Sequence, residues 1–109
     1  IKTYNNVSYK KYIALLNQTG TNDPTATVLE NTLSSGITWS RSTTGEYEGT
    51  LTGEFTNNKT FVLITLTQSG QVLAGRKTDN KVQVYTFTDL GVAIDGYLTN
   101  ASIEIRVYS

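Results

Sequence analysis

Three carboxylates, Glu46, Glu48 and Glu54, fall at even positions of a stretch that alternates in polarity from Glu46 to Phe55. Paired carboxylates can hydrolyse glycosides when held roughly 5 to 9 Å apart, one as acid and the other as base or nucleophile. Residues two apart on any strand meet that spacing, so the distance alone selects nothing. The same row on a solvent-facing strand does a plainer job, discouraging edge-to-edge pairing by charge. We adopt that second reading.

Asn80, Asp89 and Asp95 could supply oxygens to calcium, but no Asp-x-Asp-x-Asp-Gly loop surrounds them. Turn formation by short polar side chains accounts for them. Trp39 and the tyrosines Tyr47, Tyr85, Tyr97 and Tyr108 could stack on apolar sugar faces. Trp39 has the bulk of a core residue, whereas Tyr85 and Tyr108 fall on the outward positions of their strands. The candidate binding residues are therefore Trp39, Tyr85 and Tyr108. No catalytic residue, metal ligand or cofactor is assigned.

What is absent narrows the chemistry further. The chain contains no histidine, cysteine or methionine. Without His or Cys there is no Ser-His-Asp or Cys-His arrangement, no thiolate metal site and no disulfide. Nine basic and nine acidic side chains give a formal net charge of zero. No long-range field then steers the chain to nucleic acid or to an anionic membrane. No apolar run approaches the roughly 20 residues that a spanning helix needs. A chain opening on Ile1 is expected to be trimmed or part of a longer protein. With 109 residues it is long enough for one core, with residues 1–8 as an arm and 9–109 as the domain.

The elements that must position these residues are short strands. Tyr9, Tyr12, Ile13 and Leu16 fit helical spacing, with Ser8 as N-cap and Gly20 as stop. Tyr12 to Leu16 is equally a buried strand, and the β character of everything after it favours strand. Strands are expected over Thr25 to Leu33 and Ile37 to Arg41. Next comes a central hairpin, running from Glu46 to Phe55 and back from Phe61. Its turn is Thr56-Asn57-Asn58-Lys59, where Asn tolerates positive φ. On the first arm Tyr47, Gly49, Leu51, Gly53 and Phe55 share one face, the glycines leaving room for bulky neighbours. Phe61-Val62-Leu63-Ile64 is apolar on both faces, as at the centre of a sheet or under an interface. Val82, Val84 and Thr86 alternate with Gln83, Tyr85 and Phe87. In the last strand Ile103, Ile105 and Val107 point one way, and Glu104, Arg106 and Tyr108 the other.

Eight or nine short strands with frequent turn signals predict an all-β antiparallel β-sandwich. The strand count, the lack of a Cys-Trp-Cys arrangement and the terminal strand point to a jelly roll. Packing of the tumour-necrosis-factor and complement-C1q type would make it a trimer, by fold-level analogy. The excess apolar surface marks Val62, Ile64 and Phe87 as interface candidates.

Three stretches, Lys11 to Leu33, Gly49 to Phe61 and Leu98 to Tyr108, resemble uncharacterised proteins of marine Bacteroidetes and their phages. The resemblance implies association with phage-type structural genes and carries no activity. Together with the fold-level analogy, it leads us to expect a non-enzymatic structural or appendage domain, on a virion or extracellular, whose partner is itself as a homotrimer. The alternative is a carbohydrate-binding module that takes a cell-surface glycan.

Overall fold

A computed structural model describes residues 8–109, so most of the expected N-terminal arm lies outside the described residues. Eight strands follow one another: β1 (Tyr9–Asn17), β2 (Thr25–Asn31), β3 (Thr38–Thr43), β4 (Glu46–Thr50), β5 (Thr60–Thr65), β6 (Gln71–Thr78), β7 (Lys81–Phe87) and β8 (Ala101–Tyr108). They form two antiparallel four-stranded sheets, ordered β2-β1-β8-β5 (sheet A) and β3-β4-β7-β6 (sheet B). The fold is a β-sandwich.

Alternation explains which residues fill the space between the sheets. Tyr12, Ala14 and Leu16 of β1 and Ala101, Ile103, Ile105 and Val107 of β8 face inward from sheet A. Trp39, Tyr47, Val82 and Val84 meet them from sheet B. Successive side chains on a strand point to opposite faces, so each buried set forces its odd or even partners outward. The ambiguous segment is thus strand rather than helix. A helix would have placed Tyr12 and Ala14 on different sides, whereas here both are completely buried. Trp39 lies in the core, its Nε1 donating to the Tyr12 hydroxyl at 3.2 Å. The terminal strand β8 runs mid-sheet between β1 and β5.

The central hairpin does not form. β4 ends at Thr50, and the chain turns at 51–54, where the Glu54 N–H bonds the Leu51 carbonyl. β4 then pairs with β3 and β7, while β5 pairs with β8 in the opposite sheet. The polarity alternation simply continues through the turn, and that overran the strand. Phe55 still reaches the core, completely buried, because Phe55 N–H bonds the Asp79 carbonyl and Arg76 Nε caps the Phe55 carbonyl. The expected positive φ at the following turn is present at Asn58, with φ 63°.

Gly49 makes the room expected of it. A Cβ there would sit 2.9 Å from the Trp39 ring and from the Ile37 side chain. The indole packs against the bare backbone of the neighbouring strand, which pairs Gly49 with Trp39. Gly53 has no such neighbour and serves the turn instead.

Candidate functional site

The three carboxylates part company in the folded chain. Glu46 lies on the outer face of sheet B. Glu48 shares that face, covered by Lys77 and by Lys81, whose Nζ is 2.9 Å away. Lys77 and Lys81 together hold the Glu48 carboxyl below its ordinary pKa. Glu54 is buried at the turn, where it takes the Lys10 ammonium at 2.7 Å and the Ser34 N–H at 2.8 Å. Burial acts to raise the Glu54 pKa, but those two donors outweigh it and the carboxyl stays on the acid side. The expected solvent-facing stripe is therefore corrected: two of its three members are buried, each neutralised by lysine. A carboxyl held ionised in this way is a poor proton donor near neutrality.

The most elaborate polar cluster is at one end of the sandwich, around Asp95. Arg41 reaches it from β3, with Nε at 3.1 Å and Nη2 at 2.9 Å from Oδ2. The Gly45 N–H donates to Oδ1 at 3.0 Å and the Tyr47 hydroxyl donates at 2.7 Å. The arginine contact, helped by the Gly45 and Tyr47 donors, brings the Asp95 pKa down to about 2. Burial, then the bond to Asp95, raises the Tyr47 pKa well above its normal value.

Gln18, 2% exposed, completes the cluster. Its Nε2 donates to the carbonyls of Gly20 and Asn22, which turns Oε1 toward Gly96 N–H at 2.7 Å and the Tyr47 hydroxyl at 2.9 Å. One phenolic proton faces two acceptors. The charged and nearer Asp95 takes it, while Gly96 satisfies the amide oxygen. A tyrosine fixed as phenol and an aspartate fixed as carboxylate have no proton to exchange near neutrality. The cluster clamps the segment after β7 onto β1, β3 and β4. Among the described residues no group of three or more acidic side chains could hold a metal ion. Asp95 is committed to Arg41, Asp89 accepts the Ser69 hydroxyl, and Asn80 Oδ1 accepts Gly53 N–H.

The candidate sugar-stacking residues do not meet. Trp39 is enclosed in the core. Tyr85 lies on the outer face of sheet B, stacked on Phe87 with ring centres 6.5 Å apart. Tyr108 lies on the outer face of sheet A, 5.0 Å from the Tyr9 ring. The interface candidates divide as well. Val62 and Ile64 face inward against the core, and Phe87 belongs to the other sheet's exterior. The outward residues of β5 are Phe61, 46% exposed, and Leu63, 52% exposed. β5 is an edge strand rather than a central one, and a sandwich of two layers covers only its inner face.

Sheet A brings apolar residues of β1 and β5 to its outer face, on either side of β8. The register sets Thr32, Lys11, Arg106 and Phe61 in one row, then Glu30, Ile13, Glu104 and Leu63, then Thr27, Leu15, Ser102 and Thr65. Small Ser102 leaves a depression of about 250 Å³ between Ile13 on one side and Leu63 with Thr65 on the other. Arg106 lies over two rings, 4.9 Å from the centre of Tyr9 and 5.9 Å from that of Phe61. Sequence reasoning missed Tyr9, Phe61 and Leu63. The one available signal, a doubly apolar β5, does not say which alternate set is covered.

No protein-family model, no curated protein and no solved structure matches this chain.

Proposed function

We propose that this chain is a non-enzymatic assembly module that works by associating with copies of itself, a structural or appendage domain of phage-like origin on a virion or outside the cell. The observation that carries the reading is the outer face of sheet A. Phe61 and Leu63 stand half-exposed there, across the β8 column from Ile13 and Leu15, with a groove between Leu63 and Ile13. Exposed apolar side chains gathered on one face are what an interface covers. Arg and aromatic residues, here Arg106, Tyr9 and Phe61, are the types enriched at protein interfaces. The phage-like origin rests on the sequence resemblance alone.

The jelly-roll type draws support from the central position of β8. A rolled-up hairpin of eight strands would also pair β2 with β7, β3 with β6 and β4 with β5, and none of these pairs occurs. The tumour-necrosis-factor and complement-C1q analogy, and the trimer with it, therefore weighs less than the exposed face itself.

A second reading has one specific observation behind it. Tyr9, Tyr108 and Phe61 gather on the same face, near Glu104 and Lys11, as a surface that binds a glycan would have them. Light scattering over a wide concentration range separates the two. An assembly module gives a stable mass above that of one chain. A monomer at every concentration removes the reading, and glycan binding to that face becomes the function to measure.

A further inference from the structure

The outer face of sheet A carries opposite charges in adjacent rows. Lys11 and Arg106 occupy one row, and Glu30 and Glu104 the next. Rows on one face of a strand are about 7 Å apart. A twofold axis lying in the face, along the rows and midway between them, lays each row onto the other row of a second copy. Arg106 then sits opposite Glu104 of the second copy, and Phe61 opposite its Leu63. Both relations occur twice, as a self-complementary contact requires.

We infer that the occupant of this face is a second copy of the chain, stacked sheet on sheet about that axis. The inference rests on the self-association reading and adds its mode. Charge complementarity selects the partner, since a face with two cations beside two anions repels neither itself nor its twofold image. The apolar columns of β1 and β5 flank the charged column of β8, so Ile13, Leu63 and Phe61 would shield the Arg106–Glu104 contacts from water. Arg106 is already fixed by the Tyr9 and Phe61 rings and by Glu104 at 2.6 Å. A side chain ordered beforehand loses little entropy on docking. Two stacked sheets keep their strands within about 30° of alignment, which lets the rows match across the interface.

The test is a charge swap read by light scattering and native mass spectrometry. The unaltered chain is expected as a dimer. Arg106→Glu sets acid against acid across the axis, and Glu104→Arg sets base against base, so each variant alone is expected to be monomeric. Mixed in equal amounts they are complementary, and the mass of a mixed dimer is expected to return. Its return also shows that both variants fold. Variants that keep the parent's mass, or a mixture that stays monomeric, overturn the twofold contact and leave self-association standing. A parent that assembles as a trimer or larger ring does the same. A parent that is monomeric throughout overturns the contact and the assembly reading together.

Discussion

Tyr47 and Asp95, 48 residues apart in sequence, meet through a 2.7 Å hydrogen bond that joins β4 to the segment following β7. The bond is one of several that converge on a single carboxylate from β3, the Gly45 turn and β4. Removing the carboxylate would leave Arg41, the Gly45 N–H and the Tyr47 hydroxyl without their shared acceptor. We expect Asp95→Ala to lose roughly 1–3 kcal/mol of folding stability, since three part-buried donors are left without their shared acceptor. Urea denaturation checks this, with exposed Asp89→Asn expected within about 0.5 kcal/mol of the parent.

The same carboxylate gives a pH dependence of known sign. Its pKa falls from 3.8 unfolded to about 2 in the fold. Its contribution is therefore complete above the unfolded value and lost as pH drops through the folded one. Glu48 and Glu54, also lowered, act in the same direction. Thermal melts should fall steadily from pH 5 to about pH 2. Asp95→Asn should flatten part of that slope, and an unchanged slope would remove Asp95 from the account.

Gly45 and Gly49 should both resist alanine, for different reasons. At Gly45, φ is 67° and a Cβ would meet the Thr86 carbonyl at 2.7 Å and the Ile94 N–H at 2.8 Å. Neither neighbour can rotate away. At Gly49 the obstacles are the Trp39 and Ile37 side chains, which can shift. Overpacking of that kind costs about 1–3 kcal/mol. Gly45→Ala should be the worse of the two, and Gly36→Ala, with open space around it, close to neutral. The order of their melting temperatures tests the assignment.

β5 offers a direct comparison of inside with outside. Leu63→Lys changes an exposed residue and should alter stability by no more than about 0.5 kcal/mol, while reducing the mass in solution. Ile64→Lys places an ammonium against the core and should cost several times as much. Should both variants destabilise equally, the facing of β5 is wrong.

Much of the sandwich was legible because burial on one face imposes a period of two. β7 and β8 carry that period cleanly, and their buried residues are the ones it marks, whereas β1 is apolar throughout Tyr12 to Leu16 and alternates only in its burial. Alternation fixes which side chains share a face, but it contains no information about the neighbouring strand. Glu46 to Phe55 shows the limit. Its alternation runs on past Thr50 into a turn, and the apparent hairpin partner joins the other sheet. The carboxylate row had the right face at Glu46 and Glu48, and the wrong exposure, because the lysines that cover Glu48 come from β7 and from the end of β6.

The sequence alone determined an all-β chain without His or Cys chemistry, with Trp39 in its core and a cleanly alternating terminal strand. Those properties depend on residue type and local period. Only the tertiary structure decided that Phe61 and Leu63, rather than Val62 and Ile64, face outward, and that opposite charges fall in adjacent rows beside them. Both depend on register between strands distant in sequence. Register is set by the sum of contacts made once the sheets close on one another.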